Sequence, residues 1–187
     1  MIELFRQYVK WKILAHFLAN PNTPFHIKQL ARVLNVSPAS VSSAVKSFGE
    51  DGLLWKEEKG LAHIYRLDSE NSMVAPMKKA YGIAFVLSSK PKEKFLEIDQ
   101  NIISLALFGS YAEGSFDEKS DIDFLIVTGA SKESFIKVAK MLEDELEKEV
   151  SLSVLKLSEW REMAKNGDAF YKRIIENHIL LYGSGLK

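Results

Sequence analysis

Cysteine is missing from all 187 residues. Disulfides and Cys-based zinc or iron–sulfur sites are therefore excluded, and any metal must be held by oxygen or histidine. The four histidines, His16, His26, His63 and His178, are scattered without ligand spacing and read as surface or packing residues. No stretch approaches the ~20 apolar residues of a membrane span. Met1 to Arg6 lacks the basic start and uncharged apolar run of a signal peptide, so a cytoplasmic chain without a membrane partner is expected. Excess charge is missing too, because 25 Lys+Arg balance 25 Asp+Glu, and this argues against a strong nucleic-acid footprint. The balance hides a split: residues 1–68 carry 9 basic against 6 acidic residues, and residues 69–187 carry 16 against 19. The halves differ in sign, a weak pointer to different partners.

What is present is the composition of a folded chain, 47% apolar and 11% aromatic, able to bury a core. Leu4, Val9, Ile13, Leu14 and Phe17 recur at helical spacing from Glu3 to Leu18, and Asn20-Pro21-Asn22 ends the pattern. Thr23-Pro24 reads as a cap with proline at the first helical position, opening a second helix with Ile27, Leu30, Ala31 and Leu34 on one face and Asn35 as its stop. Ser37-Pro38 repeats the signal for a third helix with Val41, Ala44, Val45 and Phe48 inward, ending near Gly49 or Gly52. Leu53–Lys56 and His63–Leu67 then read as two strands with Glu57–Gly60 as their turn. Residues 1–68 so arranged resemble a winged helix-turn-helix domain of prokaryotic transcription regulators.

Asp68–Ser72 is a polar break, and a connecting helix is expected from Met73 to Val86, closed by Ser88–Pro91. The expected partition is therefore 1–68, a connecting segment 69–92, and a second domain 93–187. That domain alternates types: a strand over Ile102–Phe108, a short helix after Gly109-Ser110, a strand over Ile122–Val127, a long helix over Lys132–Lys148 and a third strand over Val150–Leu157. The inward face of the long helix is Phe135, Val138, Ala139, Leu142 and Leu146. Closing helices are expected near Ser158–Trp160 and over Phe170–Leu181. The fold class is α+β, with an α/β second domain built on a short mixed sheet.

Between the first two of those strands run Gly109-Ser110, the ten residues Tyr111 to Ser120, and Asp121-Ile122-Asp123. Two Asp residues two positions apart on a strand point to the same face and can share hard cations. Gly109, lacking a Cβ, lets the backbone approach a phosphate, and Ser110 at a helix start offers a hydroxyl and an amide to the triphosphate. The order strand, Gly-Ser, ten residues, Asp-x-Asp, strand closely resembles the minimal nucleotidyltransferases of the DNA polymerase β superfamily. The resemblance implies a nucleoside monophosphate passed from an NTP to an acceptor hydroxyl. Asp121 and Asp123 would be catalytic and hold Mg2+ or Mn2+, and Gly109 and Ser110 would bind the nucleotide. It also implies a helical partner protein. Two positions depart from the family pattern. Glu113 stands where a basic residue is common, and the third strand offers Ser153, or alternatively Ser151, where a third carboxylate is expected. Serine is a poor magnesium ligand and no general base unaided. Glu147 and Glu149 read as solvated helix-end residues, and Glu143-Asp144-Glu145 as an exposed helix face.

If the first domain binds double-stranded DNA, its third helix would present Ser37, Ser40, Ser42, Ser43 and Lys46, and its hairpin Lys56, Lys59 and Arg66. Serine reads bases without strong preference, so the contacts would rest on phosphates and on a homodimer doubling them. Two alternatives stay open. The first domain could be a protein-interaction module using an exposed Trp11 or Trp55, or the chain could be a DNA-binding regulator whose transferase domain has lost turnover and senses a nucleotide.

Overall fold

Helical spacing and turn chemistry shape the N-terminal part of the computed structural model, which describes residues 8–59 and 62–186. The first helix, α1 (Val9–Ala19), buries Ile13, Leu14, Phe17 and Leu18. Val9 stands in the first turn, outside that stripe, and is 40% exposed; Leu4 lies outside the described residues. The expected Thr23-Pro24 cap is corrected. Phe25–His26 instead form a short strand, β1, which pairs antiparallel with Tyr65 and Ile64, and α2 (Ile27–Leu34) starts after it. Burying Phe25 beside Phe17, ring centroids 5.6 Å apart, favours that pairing over an earlier helical turn. Asn35 closes α2 in the left-handed region at φ 50°. Ser37 Oγ accepts from Ser40 N at 3.0 Å and caps α3 (Pro38–Glu50), whose Val41, Ala44, Val45 and Phe48 are all buried.

A hairpin follows, β2 (Leu54–Lys59) and β3 (Ala62–Leu67), and with β1 it forms an antiparallel sheet in the order β1-β3-β2. Glu57, Glu58 and Lys59 were expected to turn but continue the strand, paired with Ile64, His63 and Ala62. A ladder of backbone hydrogen bonds outweighs their poor strand propensity. The next helix, α4 (Val74–Ser88), falls where a helix was expected from Met73 to Val86. Beyond Lys90, in the left-handed region, Pro91 opens a helix the sequence reading missed, α5 (Pro91–Ile98). Only Pro91 and Phe95 of that helix are buried, too few to make a periodic pattern.

The remaining strands are β4 (Ser104–Phe108), β5 (Ile122–Val127), β6 (Val150–Leu155) and β7 (Ile179–Gly183), forming a mixed sheet in the order β6-β5-β4-β7. The central strand β4 runs antiparallel to both neighbours, while β5 and β6 are parallel. All five residues of β4 are buried, as a central strand requires. Between the strands lie α6 (Gly109–Glu113), a 3-10 turn over Lys132–Phe135, α7 (Ile136–Leu146), α8 (Leu157–Asn166) and α9 (Ala169–Glu176). The expected closing helix to Leu181 is corrected: it stops at Glu176, and Ile179–Gly183 pair with β4, whose second edge would otherwise leave backbone groups unbonded.

The fold is thus mixed α+β. It divides into two units, one running through Ala84 and including Gly114–Lys119, the other comprising Phe85–Glu113 and Ser120 onward. Most of the spacer between Gly109-Ser110 and Asp121 therefore belongs to the first unit. There Phe116 is 1% exposed, its carbonyl accepts from Lys78 Nζ, and its ring lies 4.9 Å beneath that ammonium. Gly114 has φ +85°, and a Cβ added to it would stand 2.8 Å from Ala75 O and from Lys79 N. Glu118 accepts from Asn22 N at 3.0 Å, Asn22 Nδ2 at 3.3 Å and Thr23 Oγ1 at 2.8 Å.

Burial pushes the Glu118 carboxyl up, but hydrogen bonds from its own amide, Thr23 and Asn22 outweigh this and hold it below its ordinary value. Replacing Glu118 by Gln should lower stability by about 1 kcal/mol near neutrality, the scale of a partly solvated charged hydrogen-bond set. The sign follows from the depressed pKa. The ionised form stabilises the fold above the ordinary Glu value, and this is lost as pH falls through the folded value. Thermal melts of wild type and Glu118→Gln should therefore converge in acid; a gap independent of pH would contradict this.

Candidate active site

Phe108 and Asp123 are Cα partners across the β4–β5 ladder, so Gly109 leaves the sheet directly beside the Asp123 side chain. Gly109 has φ +68°, and a Cβ on it would overlap Asp123 Oδ2 and stand 3.1 Å from its Cγ. Glycine is thus required twice over, by conformation and by space. Asp121 and Asp123 flank the buried Ile122 and share the opposite face, both half-buried. Burial, then the Asp121 charge, push the Asp123 carboxyl up to about 6, with Arg173 acting against them.

The parallel β5–β6 register places Ser151 opposite Asp123 and Ser153 opposite Leu125. Of the two serines weighed for the missing carboxylate, Ser151 touches the pair, donating to Asp121 Oδ2 at 2.9 Å. Among the described residues, no group of three or more His, Cys, Asp and Glu side chains is placed to hold a metal ion. Glu147 and Glu149 are exposed, and Glu113 is exposed at the end of α6.

A cleft of about 550 Å³ opens beside Asp123, lined by Ser151, Ser153, Lys132, Lys140, Glu143 and Arg173 among others. Glu143 thereby departs from the exposed-face expectation. It accepts from Val150 N at 3.2 Å and from Lys140 Nζ at 3.3 Å, which fixes the start of β6.

In the first unit, Ser37, Ser42, Ser43, Lys46, Lys56 and Arg66 are exposed, and Ser37 and Ser40 bond to each other at 2.8 Å in the α3 cap. The Lys59 side chain lies outside the described residues. Lys46 is 3.9 Å from Glu50. Trp55 is 59% exposed and Trp11 37%. A cleft of about 850 Å³ is lined by His26, Lys28, Arg32, Ser42 and His63, with no acidic side chain among the described ones, and the sequence reading had singled out only Ser42 of these for binding.

Residues 88–182 match the family described as nucleotidyltransferase domain. This chain belongs to that family. No curated protein matches it significantly. The solved toxin–antitoxin MntA–HpeT structure is 18% identical over 51% of this chain and 72% of its own, with a TM-score of 0.39. The tri-AMPylated Shewanella oneidensis HEPN toxin in complex with MNT antitoxin is 17% identical over 50% and 71%, with a TM-score of 0.32. Likenesses that distant say nothing further about this chain.

Within the nucleotidyltransferase domain, the sequence reading missed Lys132, Lys140, Glu143 and Arg173 as cleft residues. A signal did exist for the first three. Lys132, Ile136, Lys140 and Glu143 fall at steps of four, four and three, which makes one stripe along the helix. Of that stripe only Glu143 was read, as part of an exposed acidic face with Asp144 and Glu145. Arg173 carried no local signal, because only the packing of α9 brings it to β5. No helix among the described residues is long and apolar enough to cross a membrane.

Proposed function

We propose that this chain is a metal-dependent nucleotidyltransferase that moves a nucleoside monophosphate from an NTP to an acceptor hydroxyl. The observation that carries this reading is the closure of Gly109 onto Asp123, which holds that carboxylate, with Asp121 just before β5, against the Gly-Ser turn beside an open cleft. The donor set fits magnesium or manganese: Asp121 and Asp123 supply hard oxygens on one face, and Mg2+ commonly takes only one or two carboxylates and completes its shell with water and substrate phosphates. A cation held there would neutralise charge on the triphosphate and the leaving group.

The residues themselves bind and orient. Gly109 gives the phosphates room, and Ser110 offers its hydroxyl and amide; α6 is only five residues long, so a helix dipole adds little. The acceptor oxygen would attack the α-phosphorus in line, the bond to the bridging oxygen would break, and pyrophosphate would leave with the electron pair. With serines on β6, that strand offers no side chain as base, and the acceptor proton would pass to solvent.

The three helices and hairpin of the first unit support a second element of the proposal, a winged helix-turn-helix that binds double-stranded DNA. His26, Lys28, Arg32 and His63 around the larger cleft would add phosphate contacts to Lys46, Lys56 and Arg66. A homodimer and a helical partner protein complete it. The second reading, a nucleotide-sensing regulator without turnover, is favoured by Ser151 and Ser153 standing in the place of a carboxylate.

Calorimetry against each NTP, with and without magnesium, followed by a labelled-nucleotide transfer assay, separates these readings. Magnesium-dependent binding with transfer supports the enzyme, and binding without transfer supports the regulator. Asp121→Ala combined with Asp123→Ala should abolish magnesium-dependent binding while the fold persists. A double variant that binds like wild type would place the site elsewhere.

A further inference from the structure

Two aromatic contacts lead from the carboxylate strand to one cation. Phe108, the Cα partner of Asp123, meets Phe170 edge-on with ring centroids 5.6 Å apart. The Arg173 guanidinium lies 5.8 Å from the centroid of the Phe170 ring. Phe170 and Arg173 are three apart on α9, so one helical face presents both. Phe108, Asp123, Phe170 and Arg173 all line the same cleft. The buried Phe108 fixes Phe170, and Phe170 in turn limits where the exposed guanidinium can go.

The other charged groups on the cleft wall are differently placed. Lys140 lies 3.3 Å from both Glu143 and Asp144, so carboxylates already hold its charge. Glu143 is itself engaged by Lys140 and Val150 N. Lys132 sits in the 3-10 turn before α7, away from α9 in the chain and without an aromatic contact that would fix it among those described. Arg173 is thus the cation that the aromatic pair positions at the Asp123 end. Its planar fork of donors suits bidentate recognition of phosphate oxygens better than a lysine point charge would.

We propose that Arg173 is a nucleotide-binding residue that grips the phosphate chain of the NTP at the Asp121–Asp123 face, with Phe170 as its positioning residue. This rests on the transferase reading and assigns to it a residue outside the Gly-Ser and Asp-x-Asp motif. Removing a phosphate-gripping arginine should weaken triphosphates far more than monophosphates, because the monophosphate lacks the chain it holds.

The test titrates the full chain with the four NTPs and the four corresponding NMPs in magnesium, comparing wild type, Arg173→Ala, Arg173→Lys and Phe170→Leu. Arg173→Ala should weaken the preferred NTP at least about tenfold, the scale of one charge-assisted contact, and narrow the gap between NTP and NMP. Arg173→Lys should restore part of the loss, and Phe170→Leu should show a smaller loss of the same kind. Arg173 is exposed, so thermal melts of Arg173→Lys, which keeps the charge beside Asp123, should match wild type, and Arg173→Ala should fall only slightly below it. Equal weakening of NTP and NMP, or none, would overturn the proposal while leaving the transferase reading in place, provided that Asp121→Ala with Asp123→Ala still abolishes binding. Failure of wild type to bind any NTP would remove both.

Discussion

Asp123→Asn should abolish nucleotide transfer and at the same time make the metal-free protein more stable. On the proposed function, losing a carboxylate that would hold the charge-neutralising cation is expected to remove several kcal/mol of transition-state stabilisation, on the order of a thousandfold in rate. The stability effect has the opposite sign because Asp123 is pushed up to about 6 from 3.8 by burial and by the Asp121 charge. A carboxyl whose folded pKa exceeds its unfolded value binds its proton more tightly when folded. The penalty for ionising it is therefore fully present above the folded value and disappears below the unfolded one. Taken whole, the shift would correspond to about 3 kcal/mol. Asp123 is only half-buried, and solvent screening reduces the expected gain to about 1 kcal/mol. Chelator-treated Asp123→Asn should therefore melt above wild type near neutrality, with the difference closing as pH falls from about 6 to 4. A variant that transfers at the wild-type rate would remove Asp123 from the chemistry, and one that melts below wild type at every pH would contradict the electrostatic account.

Gly109→Ala should be the most damaging single methyl in the site. The left-handed backbone at φ +68° costs a non-glycine residue about 1–2 kcal/mol, and the added Cβ would overlap Asp123 Oδ2. The carboxylate must rotate away or β4 and β5 must part. Because β4 and β5 are buried almost throughout, the side chain is the part that yields. Displacing a reacting group by about 1 Å can cost on the order of a hundredfold in rate. The expected result is a modest fall in melting temperature, roughly 2–8 °C by the usual scaling, joined to a loss of transfer much larger than the stability change explains. Kinetics and melts on the same preparation check this. Near-normal transfer would mean that the Gly-Ser turn and the carboxylates are less tightly coupled than their packing implies.

The motif of the site was legible because its parts are local. Gly109-Ser110, the ten-residue spacer and Asp121-x-Asp123 lie within one stretch bounded by apolar strand runs, so spacing alone puts the carboxylates on one face. Helix α3 was legible for a similar reason, since Ser37-Pro38 and Val41, Ala44, Val45 and Phe48 state its cap and buried face within one short stretch. The Thr23-Pro24 signal, locally as good, misled because Phe25 gains more by packing against Phe17 and pairing with Tyr65 than by opening a helix.

By itself, then, the sequence determined the element types of most of the chain, the absence of thiolate ligands, and which two carboxylates flank Ile122 at the start of β5. Tertiary structure decided what depends on partners distant in the chain. Register, not composition, chose Ser151 over Ser153 as the hydroxyl beside the carboxylates. The open edge of β4 drew Ile179–Gly183 out of the expected helix. The hydrogen bonds of Glu118 and the burial of Phe116 placed most of the spacer in the first unit. Packing of Phe170 on Phe108 carried Arg173 to the carboxylate face across fifty residues of sequence. Local patterns record what a residue does with its own backbone, whereas pairing and packing across the chain leave no mark in any single stretch of it.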